Sequence, residues 1–241
     1  MSSQTKTNYG IDAPGVIRNL FLFGAALVAA SLLVPVFKIG GGTIDLSWFI
    51  WPGAAFIIES ILMIIYALYG KFAHRDRMLR LVEWRGDEQV LDVGTGKGLL
   101  MIGAAKKLTT GTSTGIDIWN AEDLSGNNVE NALNNAELEG VTSTIIIKNE
   151  NAMKMSFPDN SFDVVLSNLC LHNIYHKYGR EAACKEIARV LKPGGTAIIS
   201  DYKHTKEYKR VFDQVGLQTN LLPANYLTTF PPLRILVVKK S

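Results

Sequence analysis

Cysteine is scarce in this chain of 241 residues: Cys170 and Cys184 are the only two. Two thiols exclude a disulfide framework and a paired-cysteine zinc site. Neither stands in a His/Asn setting that would mark a nucleophile, and a reducing cytosol suits both. Charge is missing altogether from Leu20 to Phe37, a run of 18 residues. From Leu46 to Gly70 the only charge in 25 residues is Glu59. Net charge is missing from most of the rest. Residues 1–70 balance three basic against three acidic side chains, and residues 86–241 balance 17 against 17. Such a balance argues against nucleic acid as a partner, which needs a basic face. No internal repeat, low-complexity tract or HExxH zinc signature is present, although His172 and His176 lie four apart.

What is there begins with the two apolar runs. A transmembrane helix needs roughly 20 apolar residues, within about 17–25, so both runs qualify. They predict an N-terminal membrane hairpin over residues 1–70, with spans of about 18–38 and 46–70. The alternatives are a signal-peptide core, usually about 7–15 residues, and buried helices of a soluble protein. Two runs separated only by Lys38–Asp45 favour the hairpin. Trp48 and Trp51 stand near one end of the second run, where interfacial aromatics belong. Glu59 lies near the middle of that span, where an ionisable group is costly; a neutral carboxyl bonded across the hairpin to Ser31 is the simplest expectation. Ala25, Ala26, Ala29 and Ala30 form a small-residue face that suits close packing within the hairpin or a homo-oligomer.

The whole net charge of +3 falls in residues 71–85, which carry Lys71, Arg75, Arg77, Arg80 and Arg85 against Asp76 and Glu83. This segment reads as a basic juxtamembrane linker. By the positive-inside rule it puts the remainder, residues 86–241, in the cytoplasm. It also suits contact with anionic headgroups.

Beyond Arg85, short apolar runs alternate with helical patterns. "QVLDV", "TSTGIDI", "STIIIK", "FDVVLSN", "TAIISD" and "LRILVVKK" read as strands. "KGLLMIGAAKKL", "NNVENALNNAELEG", "GREAACKEIARVL" and "TKEYKRVFDQVG" read as helices. Such alternation predicts an α/β domain with a mostly parallel sheet covered on both faces. Ligands of such sheets bind at the carboxyl ends of the strands. After the first strand comes "LDVGTGKG", whose glycines let a ligand approach the backbone closely. Asp117 closes the second strand, where a carboxylate can accept ribose hydroxyl protons. These features fit a nucleotide-type cofactor and leave its identity open.

The stretches "VLDVGTGKG", "GID", "FPDNSFDVVLSN" and "EIARVLKPGGTAIISD" occur in the order of the class I S-adenosylmethionine-dependent methyltransferases. They resemble in particular the methyltransferase type 11, ubiquinone-biosynthesis-like branch, over about residues 75–238. The resemblance implies a Rossmann-like seven-stranded sheet with its final strand inserted antiparallel. It implies S-adenosyl-L-methionine as cofactor and methyl transfer as activity. It matches Gly94, Gly96 and Gly98 to the turn facing the methionine part, and Asp92 to the acid that orders the loop. It matches Asp117 to the ribose-binding acid and Ile118 to the apolar residue beside the adenine. Asn151-Ala152 falls where the family usually has Asp-Ala; an Asn carbonyl still accepts the adenine hydrogen bond without the charge. Asn168 ends the fourth strand, where it meets cofactor and substrate or serves as a helix N-cap.

If the acceptor must lose a proton, a general base is expected near the strand ends. His172 is the candidate base, with Asp201 and Tyr202 positioning the acceptor. No metal site is expected. Three functions compete: a membrane-anchored methyltransferase for a small, lipophilic or lipid acceptor, a protein methyltransferase with the hairpin as its address, and a non-catalytic module that keeps the cofactor fold.

Overall fold

The structure, a computed structural model, describes residues 6–241. Helix α1 spans Pro14–Leu33, with proline in its first turn, where the missing N–H costs nothing. Strands β1 (Val36–Ile39) and β2 (Gly42–Asp45) follow as an antiparallel hairpin. Gly40 and Gly41, at φ 52° and 87°, supply the two positive dihedrals that a tight hairpin turn requires. This hairpin was not expected from the sequence; its residues look like a continuation of the first apolar run, and all eight are exposed.

Helix α2 (Ile50–Ile65) returns beside α1. The two cross at Gly24 and Gly53. A Cβ on Gly24 would lie 2.7 Å from the Gly53 carbonyl oxygen, and one on Gly53 would lie 2.9 Å from that of Gly24. Glycine rather than the expected alanine face therefore sets the closest approach; Ala26 and Ala29 are exposed. Phe23 and Phe56 meet edge to face, 5.4 Å apart. Ser31 donates its hydroxyl to the Ser47 carbonyl at 2.9 Å, so it does not serve Glu59, which is half-buried and has no hydrogen-bond or ion-pair partner among the described residues. Pro14–Leu33 and Ser47–Leu79 are both long and apolar enough to cross a membrane, and only 11% of the apolar window of each is buried inside the protein. A core helix of a globular domain would be mostly buried.

The second helix does not stop at residue 70. It passes through a π-turn at Tyr66–Gly70 into α3 (Lys71–Leu79). Residues 71–79, expected as part of a linker, are thus helix packed into the following domain. Met78, Leu79 and Val82 join Val90, Leu100, Val164, Leu166 and Ile198 in one core layer. His74 Nε2 lies 2.6 Å from Ser200 Oγ, both buried. Periodicity missed this because five basic side chains mask the apolar stripe. Gly70 is required for the junction, since a Cβ there would collide with the Thr228 carbonyl.

The domain that follows is a seven-stranded sheet. Its strands are β3 (Gln89–Val93), β4 (Thr112–Asp117), β5 (Ile145–Asn149), β6 (Phe162–Asn168), β7 (Leu191–Asp201), β8 (Gln218–Leu221) and β9 (Arg234–Lys239). The order is β5-β4-β3-β6-β7-β9-β8. Strands β3–β7 pair in parallel, and β9 lies antiparallel between β7 and β8. This is the Rossmann-like methyltransferase sheet that the motif order implied. Helices α4 (Leu99–Ala105), α5 (Val129–Leu138), α6 (Lys177–Val190) and α7 (Thr205–Gln214) cover it. Leu91, Val93, Val165, Ile187, Ala197, Ile199 and Phe212 fill the core on the other face. Strand β8, "QTNL", gave no apolar signal because it is a short edge strand.

Candidate active site

The switch point lies at β3, whose neighbours β4 and β6 leave it in opposite directions. A cavity of about 400 Å³ opens there, at the carboxyl ends of the strands. Asp92, Gly94, Gly96, Asp117, Ile118, Asn151, Ala152 and Asn168 all line it. Residues scattered over 77 positions of sequence are thus brought to one wall.

Asp117 holds the glycine turn. Its Oδ2 accepts from the Gly96 N–H at 2.8 Å, and its Oδ1 from the Trp119 N–H at 2.7 Å. Asp92 is buried and accepts from Thr95 Oγ1 and the Met101 N–H, both at 2.9 Å. Burial pushes the Asp92 carboxyl up to about 7, against the pull of those two hydrogen bonds. Gly94 sits at φ 75° against Cys170, where a Cβ would collide with the thiol. Gly98 is not among the lining residues. At φ 86° it is the N-cap of α4, and its bare Cα packs against Ile102 and Met101.

Asn151 ends beside the cavity with its Oδ1 accepting from the Met153 N–H at 2.9 Å. Ile118 is 63% exposed, leaving an apolar face for a flat ring. Asn168 caps no helix: the short turn after it, Leu171–Asn173, begins at Cys170 without a side-chain cap. The Asn168 Oδ1 is buried and has no hydrogen-bond partner.

His172, Asp201 and Tyr202 cluster together but do not line the cavity. The His172 Nδ1 lies 2.9 Å from Asp201 Oδ1. Asp201 is buried and accepts from the N–H groups of His172 (3.2 Å) and Tyr202 (2.8 Å) and from the Tyr208 hydroxyl (3.2 Å). The rings of His172 and Tyr202 meet edge to face at 4.8 Å. Cys170 and Asn173, flanking His172, do line the cavity. The trio thus stands beside residues of the cavity wall, with His172 Nδ1 close to Asp201 but without a hydrogen-bond partner of its own. Burial pushes the Cys184 thiol up to about 12, and burial with the nearby Asp117 and Asp201 carboxylates raises that of Cys170.

Sequence reading missed the side of the cavity made by the N-terminal segment. Tyr9, Asp12, Lys71, Lys97 and Asp123 all line it. Residues 8–13 run across the domain as a strap. Asn8 exchanges hydrogen bonds with the Asn135 amide at 2.9 and 3.1 Å. The Tyr9 hydroxyl donates to Glu139 at 3.0 Å, and Ile11 N–H donates to Ser125 Oγ at 2.8 Å. Lys97 stood in the glycine-rich stretch and Lys71 in the basic segment already singled out, though neither was read as part of a cavity. The strap carries no motif, and its partners lie about 60 residues away at Lys71 and more than 100 away at Ser125, Asn135 and Glu139.

Residues 91–199 match the family model described as a methyltransferase domain. A sterol 24-C-methyltransferase of Aspergillus fumigatus is 35% identical over 120 residues, covering 50% of this chain and 29% of that protein. The ubiquinone/menaquinone biosynthesis C-methyltransferase UbiE of Chromobacterium violaceum is 35% identical over 118 residues, covering 49% and 44%. The chain thus spans less than half the length of these relatives. The crystal structure of the YcgJ protein from Bacillus subtilis superposes with a TM-score of 0.57 at 18% identity, covering 69% of this chain and 98% of that one. Residues 91–199 thus match a methyltransferase domain, the sheet around them has the fold of that crystal structure, and S-adenosylmethionine is the cofactor.

Proposed function

We propose that the protein is a membrane-anchored, S-adenosylmethionine-dependent methyltransferase acting on a small lipophilic acceptor. The observation that carries this reading is the junction of the cofactor cavity with the apolar helices. Asp12, two residues before α1, and Lys71, at the end of the second apolar helix, both line the cavity. A cavity tied so closely to two membrane-length helices sits near the headgroup layer, where lipophilic molecules are concentrated. Tethering raises the effective concentration of any acceptor held there. The two relatives above are named for sterol and quinone methylation, which agrees with such an acceptor.

The residues divide the work as follows. Asp117 would hold the ribose while keeping Gly96 in place, and Ile118 with Asn151 and Ala152 would receive the adenine. Gly94 and Gly96 leave room for the cofactor to cross the turn. Bound there, S-adenosylmethionine supplies an electrophilic methyl for in-line transfer, so the protein's task is alignment. Where the acceptor must lose a proton, His172, backed by Asp201, is the base, and Tyr202 helps place the acceptor.

The test is transfer of radiolabelled methyl by the full chain in native membranes. Label is expected in the lipid extract. Label confined to the protein pellet would replace this reading with a protein methyltransferase. Cofactor binding without label in either fraction would make it a non-catalytic module.

A further inference from the structure

Strand β9 is antiparallel to both β7 and β8, so β8 runs the same way as β7. The connection between β8 and β9, residues 222–233, therefore leaves and re-enters the sheet at the carboxyl ends of its parallel strands. The cavity opens at the same edge. This loop also touches the second apolar helix, for the Thr228 carbonyl stands where a Gly70 side chain would be. From Ser47 to Gly70 that helix rises about 36 Å, against about 30 Å for the hydrocarbon core of a bilayer. In a membrane, Gly70 and Thr228 then stand at headgroup level on the domain's side.

The loop is held by its own hydrogen bonds. The Asn225 Oδ1 accepts from the N–H groups of Leu227 (3.1 Å) and Thr228 (3.2 Å). The Asn225 N–H donates to the Leu233 carbonyl at 2.9 Å, and the buried Thr229 hydroxyl donates to the Asn225 carbonyl. This ordered tip turns its apolar side chains outward: Tyr226 is 76% and Leu227 95% exposed. On the helix, Leu68 and Tyr69, just before Gly70, are 50% and 72% exposed. Single exposed apolar residues are ordinary. Four of them around one contact, at the foot of a membrane-length helix, extend that helix's apolar surface onto the domain. Tyrosine, with an apolar ring and a polar hydroxyl, suits the boundary between headgroups and acyl chains. Lipid is therefore the occupant that this level and this chemistry select.

We propose that the β8–β9 loop is a further membrane contact, with Tyr226 and Leu227 entering the headgroup layer beside Leu68 and Tyr69. A single helical tether leaves the tilt of a domain free, and a second contact fixes it. Here the helix foot is one contact and the loop tip the other, both at the carboxyl edge of the sheet. The cavity is thereby held toward the bilayer, so an acceptor dissolved in that leaflet meets it directly. The inference rests on the membrane-anchored reading and adds to it which edge of the domain faces the lipid.

The test reads lipid contact position by position in the full chain, reconstituted in phosphatidylcholine vesicles. Tyr226→Cys and Leu227→Cys each carry an environment-sensitive fluorophore; both side chains are exposed, so neither change empties the core. The wild-type chain, with its native Cys170 and Cys184, goes through the same labelling as the blank. Leu22→Cys, on α1 and 58% exposed, reports the anchoring. Asp87→Cys, just before β3 at the opposite edge of the sheet, reports the aqueous side. At positions 22, 226 and 227 emission should shift to the blue and lose most of its intensity to quenchers carried on the lipid acyl chains. At 226 and 227 a quencher near the headgroups should act more strongly than one near the chain ends, and at 87 neither should act. Quenching at 22 with water-like emission at 226 and 227 would overturn this inference and leave the anchoring standing. A blue shift at 226 and 227 without quenching would also overturn it, because protein would then cover the tip, a second copy if the shift fades as the chain is diluted in lipid. Absence of quenching at 22 as well would defeat the anchored reading, and this one with it.

Discussion

Asp117 Oδ2 accepts the Gly96 backbone N–H at 2.8 Å, tying the end of the second strand of the domain to the glycine turn that follows the first. One carboxylate thus both shapes the turn and faces the cavity. Asp117→Ala should weaken S-adenosylmethionine binding by about 10- to 150-fold, or roughly 1.5–3 kcal/mol. Calorimetry reads this directly, and an unchanged affinity would remove Asp117 from the site.

Asp92 gives a pH signature. In the unfolded chain it ionises near about 3.9, but burial lifts the folded value to about 7. Between those values the native state holds a proton that the unfolded state has released. Its contribution to stability therefore falls as pH rises from about 4 to about 7, and the penalty is complete above that. Asp92→Asn cannot ionise. Its melting temperature relative to wild type should climb across that window, and a constant difference would refute the assignment.

His172→Ala separates catalysis from architecture. The imidazole stands against Asp201 beside the cavity wall. If it is the base, turnover should drop by about 100-fold or more while cofactor affinity holds. A matching loss of cofactor affinity would instead make His172 part of the support for the loop at residues 170–173.

The apolar helices yield two outcomes. The full chain should sediment with membranes, resist extraction by high salt and dissolve only in detergent. A C-terminal tag should be digested by protease only after the cytoplasmic face is opened. A chain that stays in the supernatant, or a tag cut from outside, would sink the anchoring or the orientation.

Within the hairpin, Gly24→Leu should destabilise the helix pair by about 1–3 kcal/mol, the usual cost of overpacking, because Gly53 leaves no room for a side chain. Gly15→Ala is the control, since nothing lies within 4 Å of a Cβ there. Detergent-phase unfolding that treats the two variants alike would show that the helices do not pack at Gly24.

By itself, the sequence determined the local events. Alternating apolar runs and helical periods placed the domain's elements, apart from the short edge strand β8, because burial on both faces leaves a continuous apolar signature. The glycines of "LDVGTGKG" and Asp117 were legible because a close backbone approach and a strand-end acid are local features. One uncharged stretch and one holding a single charge, Glu59, declared two membrane-length helices, although the β-hairpin inside their connection stayed hidden. Tertiary structure alone decided what distant segments do to one another. It carried Lys71 from an expected linker into the cavity wall and laid residues 8–13 over α5 and the loop after β4. It also set Asp201, rather than solvent, beside His172. Such contacts join residues with no shared period or spacing. They exist only because packing the sheet brings the ends of its strands together, and that convergence leaves no trace in any single stretch of chain.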